Sequence, residues 1–88
     1  MINLKIITID GIFFSGETSE IILPTDMGEI SVLANHIPMI SKLKEGTITL
    51  KFSQKNSPDK KISISSGVLE IRPGSEAYVL VDTAEEKK

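Results

Sequence analysis

The chain has 88 residues, a formal net charge of -2 and 40% apolar residues, which fits one small folded domain. Its single arginine, Arg72, and the lack of a basic cluster exclude a protein that binds nucleic acid by neutralising phosphates. The absence of cysteine excludes disulfides and thiolate metal sites.

The N-terminal segment carries no pattern of a secretory signal, and no apolar run reaches the roughly 20 residues that cross a bilayer. We therefore expect a cytoplasmic domain that contacts a membrane only through a protein partner.

Short apolar segments alternate with turn-forming residues along the whole chain. Turn signals recur about every ten residues, for example at Asp10-Gly11, Glu45-Gly46 and Pro73-Gly74. In residues 47–52 and 61–65 apolar and polar residues alternate, which is typical of strands with one solvent-facing side. The sequence therefore predicts an all-β fold, a flattened antiparallel β-sandwich or barrel of about 8–10 short strands.

Three predicted strands are apolar on both faces, in residues 6–9, 21–23 and 79–81. A sandwich buries only one face of each strand, so the second apolar face predicts either a docking surface or residues covered by strand crossings. Both interpretations stay open at this stage.

Residues 28–41 combine a strand with a rigid loop that carries an acid, an amide, an imidazole and a thioether. Loops held by a sheet are frequent binding sites. We take Glu29, Asn35, His36 and Met39 as contact candidates and expect Ile40 to cap the core.

The C-terminal part contains a hairpin signal and a helix signal. Pro73-Gly74 predicts a type II turn with a positive φ at the glycine, which would join strands in residues 70–72 and 76–78. The run Thr83-Ala84-Glu85-Glu86 matches a capping box, the start of a helix. Because isolated short helices are marginal, we expect a sandwich domain over residues 1–84 and a frayed tail over 85–88.

Lysines are expected to protect the edges of the sheets against pairing with a second copy. The residues concerned are Lys51, Lys60 and Lys61. Charged side chains on edge strands are a common device against such pairing, so the sequence predicts a monomer in isolation.

No catalytic, cofactor or metal site is predicted. His36 is the only histidine and has no second base or thiolate to complete a triad or a metal site. The glycines do not form a phosphate-binding frame. Two other functions remain open: a stand-alone ligand-binding module, although aromatic side chains for a ligand platform are few, and a minimal hydrolase that uses an acid pair or a serine with His36.

Three blocks of residues, in this order and spacing, point to a family. They are Phe14-Ser15-Gly16-Glu17, then Gly28-Glu29 with His36-Ile37-Pro38-Met39-Ile40, and Ser66-Gly67-Val68-Leu69-Glu70-Ile71-Arg72-Pro73-Gly74 with Val81-Asp82-Thr83-Ala84. With these blocks essentially the whole chain resembles the N-terminal β-sandwich domain of the epsilon subunit of F-type ATP synthases. It departs from the family's Gly-His-x-Pro pattern at Asn35, a residue type that tolerates the left-handed conformation of a glycine.

The resemblance implies a non-catalytic rotor subunit of the central stalk, which couples the gamma subunit to the c-ring during proton-driven or sodium-driven ATP synthesis. One copy per complex is expected at the cytoplasmic face of the bacterial inner membrane, with the plastid thylakoid as the alternative. The expected c-ring contacts are Glu29, Asn35, His36, Ile37, Pro38 and Met39. The expected gamma contacts are Thr8, Ile9, Ser41 and Lys42.

Family members commonly continue into a regulatory two-helix hairpin. We expect this hairpin to be absent here, in a naturally short or a trimmed subunit, and ATP-reversible inhibition to be absent with it.

Overall fold

The computed structural model describes residues 1–54 and 56–87, and their regular structure is entirely β. The predicted fold class and strand number are confirmed. In the described residues no helix is long and apolar enough to cross a membrane. The ten strands are β1 (Ile2–Thr8), β2 (Gly11–Thr18), β3 (Glu20–Thr25), β4 (Gly28–Leu33), β5 (Met39–Leu43), β6 (Gly46–Lys51), β7 (Lys60–Ile64), β8 (Gly67–Arg72), β9 (Glu76–Val81) and β10 (Ala84–Lys87).

The strands form two five-stranded layers joined by one narrow pairing. Sheet I has the order β4-β3-β6-β7-β10, and sheet II has the order β5-β8-β9-β1-β2. The single residue pair Thr25 and Leu43 links β3 to β5 and thereby the two sheets. Of the described pairings only that of β1 with β9 is parallel, with residues 3–7 beside 76–80.

The core lies between the sheets and is built from the inward half of each alternating strand. In β6 and β7, Ile48, Leu50, Ile62 and Ile64 are buried while their polar neighbours lie outside, so the predicted alternation is confirmed. Each such side chain contributes roughly 1.5–3 kcal/mol when it is fully buried. The core is almost wholly aliphatic, and its other members are Ile2, Leu4, Ile6, Ile21, Leu23, Val32, Leu43, Leu69, Ile71, Ala77, Val79 and Val81.

The predicted hairpin between β8 and β9 is confirmed. Glu70 pairs with Tyr78 and Arg72 with Glu76, so the connecting loop consists of residues 73–75. Gly74 has the expected positive φ of 84°, and Ser75 adds a second left-handed residue with φ 57°.

Two chain crossings between the sheets lie side by side and meet at Ser65. One runs from β7 to β8 through residues 65–66, and the other from β9 to β10 through 82–83. The Ser65 hydroxyl oxygen accepts hydrogen bonds from the backbone N–H groups of Asp82 and Thr83, both at 3.1 Å. The Ser65 N–H donates to the Thr83 carbonyl at 3.2 Å. These bonds fix the direction in which the chain leaves sheet II.

The predicted helix start at Thr83 is wrong. Ala84–Lys87 forms strand β10, which pairs antiparallel with residues 61–64 of β7. Thr83 gives its N–H to Ser65 and the half-buried Ala84 packs against the core, so tertiary contacts outweigh the local capping signal. The frayed tail is likewise wrong for residues 85–87, and Lys88 lies outside the described residues.

The predicted edge lysines do not lie at edges. Lys51 in β6 is opposite Glu20 of β3, while Lys60 and Lys61 belong to β7, which is covered by β6 and β10. Within the described residues the edge strands are β2, β4 and β10, and β5 is an edge strand except at Leu43, which pairs with Thr25. Strand order, which the sequence did not reveal, decides where an edge falls.

Gly67 marks a close approach of β8 to β9. A Cβ atom placed there would lie 2.1 Å from the carbonyl oxygen of Leu80 and 2.6 Å from a Val81 methyl carbon. The pairing of these strands therefore requires glycine at this position.

Candidate partner-binding surfaces

The outer face of sheet II carries a row of apolar side chains that crosses four strands. Ile12 of β2 is opposite Ile7 of β1, Ile7 is beside Leu80 of β9, and Leu80 is opposite Val68 of β8. Ile12 is 62% and Leu80 45% exposed, while Ile7 and Val68 are half-buried. At a strand spacing of about 4.8 Å the row is about 14 Å long. We call these four residues the outer row.

Further apolar groups lie close to the outer row. Phe13, which is 38% exposed, occupies the register shift between β1 and β2. Lys42 continues the row into β5 opposite Val68, and Ile40, two residues earlier, is 74% exposed. The apolar part of the face thus reaches from β2 to β5.

The opposite end of the same face is polar, and Arg72 contacts both Glu70 and Tyr78 there. Its Nε lies 3.0 Å from Glu70 Oε2 and its Nη2 3.2 Å from Glu70 Oε1. The guanidinium carbon lies 4.3 Å from the centre of the Tyr78 ring. The hydrogen bonds from Arg72 lower the pKa of the Glu70 carboxyl. A partner that covers this face therefore meets an apolar end and a charged end.

Of the four predicted gamma contacts, Ile9 and Lys42 lie at the two sides of this face. Ser41 pairs with the buried Leu69 and therefore lies on the inner side of β5. Ile9 is 77% exposed in the turn after β1, and Lys42 is exposed in β5. Thr8 and Ser41 are half-buried, and the Thr8 hydroxyl is engaged in the turn with Asp10 N–H at 3.1 Å and the Gly11 carbonyl at 3.3 Å. Strands β8 and β9 separate β5 from β1.

The four residues of the outer row were not predicted individually as contact residues. The doubly apolar segments 6–9 and 79–81 were the available signal for Ile7 and Leu80. Their outward orientation follows from the strand register.

The second surface is the loop of residues 34–38, which passes from sheet I to sheet II. Asn35 has φ 65°, which is the left-handed conformation that a glycine would supply at this position. Its N–H donates to the Ser75 hydroxyl at 2.9 Å, and that hydroxyl donates to Asn35 Oδ1 at 3.4 Å. The Ser75 carbonyl in turn accepts from Asn3 N–H at 2.9 Å. The loop is therefore fastened to β1 and to the β8–β9 hairpin.

His36 makes only backbone contacts in this loop. Its N–H donates to the Leu33 carbonyl at 3.2 Å, and its ring Nδ1 lies 2.8 Å from the carbonyl of Ile37. A carbonyl oxygen can only accept, so Nδ1 carries the proton of this bond and Nε2 remains for other partners. Ile37 is 77% exposed and Pro38 is exposed beside it.

The structure brings Asn35, His36, Ile37 and Pro38 together but places Glu29 apart from them. Glu29 lies at the beginning of β4, opposite Pro24. The length of the strand from Glu29 to Leu33 is about 13 Å. Glu29 and the loop therefore lie towards opposite ends of β4.

The assignment of Ile40 to the core is wrong. Met39 pairs with Ile71, is half-buried and packs against the core, whereas Ile40 pairs with Glu70 and is 74% exposed. A shift of one residue exchanges the two faces of a strand, and the sequence did not fix this register.

His36 does not line either of two open grooves that the described residues form. One of about 300 Å³ is lined by residues of β1, β2 and β9, including Lys5, Glu17 and Tyr78. Another of about 500 Å³ lies beside Met1 and Phe52. In the described residues no three His, Cys, Asp or Glu side chains are grouped to hold a metal ion.

Comparisons with known proteins give one consistent result. The chain matches the family described as "ATP synthase, Delta/Epsilon chain, beta-sandwich domain" over residues 1–87. It is 34% identical to the ATP synthase epsilon chain of Bordetella avium and 32% identical to that of Bordetella parapertussis. Each alignment covers 94% of this chain and 57% of the relative, so the chain spans little more than half the length of these relatives.

Solved structures show the same fold. A chain in a cryo-EM structure of the Euglena gracilis mitochondrial ATP synthase superposes with a TM-score of 0.88 at 21% identity, over 97% of this chain and 52% of that one. A chain in the central stalk and c-ring structure of the Tetrahymena thermophila mitochondrial ATP synthase gives 0.80 at 11% identity, over 96% and 65%. The chain belongs to the family of ATP synthase delta/epsilon chain β-sandwich domains.

Proposed function

We propose that this chain is the sandwich part of a non-catalytic rotor subunit that couples the gamma subunit to the c-ring of an F-type ATP synthase. The outer row is the observation that carries the proposal most strongly. It is an apolar stripe, and three of its four residues lie on the interior strands β1, β9 and β8, whose backbone groups are already paired. Side-chain packing is therefore what it mainly offers to a partner.

The gamma subunit is the proposed partner of the outer row. Covering a side chain such as Leu80 or Ile12 removes apolar area from water, and two or three well-packed anchors dominate the affinity of most interfaces. Lys42 and Ile9 lie at the sides of the row and are placed to contact the rim of the same partner.

The loop of residues 34–38 is the proposed c-ring contact. The bonds through Asn35 and Ser75 tie it to both a hairpin and β1, so a force applied to the loop is transmitted to sheet II. His36 Nε2 and the exposed Ile37 are available to a polar loop of the ring, and Glu29 offers a carboxylate for a basic ring residue.

This assignment places the chain at the cytoplasmic face of the bacterial inner membrane, in one copy per complex and attached to the membrane only through the ring. The bacterial relatives named ATP synthase epsilon chain support it. The sandwich itself performs no chemistry in this proposal, and torque passes through it mechanically.

The test measures binding of the purified chain to immobilised gamma subunit and to detergent-solubilised c-ring. Leu80→Glu should abolish gamma binding and leave c-ring binding, whereas Ile37→Glu should do the reverse. Thr49→Glu, on the outer face of sheet I opposite Lys61, is the matched control and should change neither. Absence of wild-type binding to both partners, or equal loss in Thr49→Glu, would overturn the proposal. His36→Ala separates it from a hydrolase, since it should weaken c-ring binding only.

A further inference from the structure

Strand β4 is an edge strand without the usual protection. In the described part of the chain it pairs only with β3. By contrast, β2 has a register shift near Phe13, and β10 is four residues long with three charged side chains. Strand β4 has six residues in regular register, with no proline, no lysine and one charge, Glu29. Natural sheets normally blunt such an edge.

Pro24 identifies the backbone groups that face outward along β4. Proline has no N–H, and the Pro24 carbonyl accepts from Lys44 N–H at 3.0 Å on the side of β3 away from β4. The pair Pro24 and Glu29 is therefore a non-hydrogen-bonded pair of the β3–β4 hairpin. By alternation, Glu29, Ser31 and Leu33 direct their N–H and C=O groups to the free edge. Among the described residues only the Leu33 carbonyl has a partner, the His36 N–H.

This edge is complementary to a second copy of itself. In an antiparallel pairing about a two-fold axis at Ser31, each Ser31 lies opposite the other, and Glu29 of one copy lies opposite Leu33 of the other. Like charges do not meet, and the facing residues form hydrogen-bonded pairs. The two Ser31 residues exchange two bonds, and each Leu33 N–H donates to a Glu29 carbonyl, so four bonds form without disturbing His36.

The same register also covers exposed apolar side chains. Continuing it beyond β4 brings the 26–27 turn of one copy beside the 34–37 loop of the other. Met27 is 95%, Ile37 77% and Leu33 56% exposed, and all three lie within β4 or the segments that flank it. On the inner side Ile30 of one copy neighbours Val32 of the other, which extends the core across the junction.

We propose that the free chain forms a two-fold dimer by pairing β4 with β4. The contact is a single strand pair with a small apolar margin, below about 1,200 Å², so the dimer is weak and exchanges rapidly. A consequence that rests on the proposed function is that dimerisation hides Glu29 and the 34–37 loop. The dimer and the ring-attached subunit are then mutually exclusive states.

Cysteine cross-linking tests the register directly, because the natural chain has no cysteine. In a hydrogen-bonded antiparallel pair the Cα atoms are about 5.5 Å apart, which a disulfide spans. Ser31→Cys should therefore form a covalent dimer on mild oxidation. Ser15→Cys, at an exposed serine of the edge strand β2, is the matched control and should stay monomeric. Equal cross-linking of the two variants would overturn the proposal.

Equilibrium sedimentation tests the natural chain. The average mass should rise towards twice that of one chain between about 10 µM and 1 mM. Ser31→Lys places two ammonium groups at the axis and should remain monomeric, with its β-sheet circular dichroism unchanged. Leu33→Lys should tighten the dimer several-fold, since each lysine meets a Glu29. A wild-type chain that is monomeric at about 1 mM would refute the dimer.

Binding to the c-ring tests separately whether dimerisation excludes attachment to the ring. The oxidised Ser31→Cys dimer should fail to bind solubilised c-ring, and reduction should restore the binding. If the dimer forms but the reduced chain does not bind the ring, only the proposed function fails. If the oxidised dimer binds the ring as well as the reduced chain does, the exclusion is refuted.

Discussion

The two sheets of this sandwich have similar inner faces and different outer faces. Inside, both present buried aliphatic residues. Outside, sheet I shows mainly threonine, serine and charged residues, such as Thr49 opposite Lys61 and Glu20 opposite Lys51. Sheet II shows the outer row. The inner pattern specifies the fold and is shared by the two sheets, whereas the outer pattern differs, as expected if only sheet II binds the proposed partner through this face.

The largest expected effect is the difference in stability loss between an inner and an outer residue of the same strand. Leu69 in β8 is fully buried, and its neighbour Val68 lies in the outer row. Leu69→Ala should lower the free energy of unfolding by about 3 kcal/mol, because it removes buried methyl groups and leaves a cavity. Val68→Ala should change it by about 0.5 kcal/mol or less. Urea denaturation checks both, and equal losses would contradict the division into two faces.

Replacing glycine by alanine should cost more stability in sheet II than in sheet I. Gly67→Ala in sheet II should cost about 2 kcal/mol or more, since its Cβ would meet the backbone of β9 at Leu80, which cannot move without opening the pair. In sheet I the corresponding Cβ at Gly46 meets the Pro24 ring at 3.1 Å, a contact that a small shift relieves. We expect Gly46→Ala to cost less, and thermal unfolding of both variants ranks them. A Gly67→Ala variant as stable as the wild type would contradict the close approach.

Ser65→Ala should loosen the connection between the sheets. The substitution removes the acceptor of the Asp82 and Thr83 N–H groups, a loss of about 1–2 kcal/mol. Hydrogen exchange should accelerate mainly at residues 82–87, while the amides of β8 keep their protection. Ser66→Ala, one residue further on, serves as control. Uniform acceleration across the domain would show that the crossing is not a local fastening.

The smallest effect concerns the polar end of sheet II. Arg72 lowers the pKa of Glu70 below its ordinary value of 4.5 in the folded chain. The ionised carboxylate therefore stabilises the fold above its unfolded pKa, and this contribution disappears as the pH falls through the lowered folded value. Glu70→Gln should show a shallower loss of stability on acidification below about pH 4.5 than the wild type. Because the pair is exposed, added salt should reduce the difference.

Local patterns predicted a large part of this structure. The alternation at Ile48 and Leu50 and the Pro73-Gly74 turn depend on neighbouring residues only, and both are confirmed. The left-handed conformation of Asn35 is consistent with the glycine that the family pattern has at this position.

The predictions that were wrong depend on contacts between residues that are far apart in the sequence. Thr83 carries a helix signal but is held by Ser65, eighteen residues earlier, and Met39 rather than Ile40 faces inward because of its register with Ile71. The edge positions of β4 and β10, and the continuity of the outer row, likewise require the strand order. The individual gamma and c-ring contacts stay predictions.

The parallel pairing of β1 with β9 has a consequence for biosynthesis. β1 lies between β2 and β9, so the hairpin made first cannot complete its sheet until residues 76–80 have left the ribosome. Until then its inward residues Leu4 and Ile6 lack their final neighbours. Closure of sheet II is therefore a late step that waits for β9, and until then the apolar side of the N-terminal hairpin is open to non-native contacts.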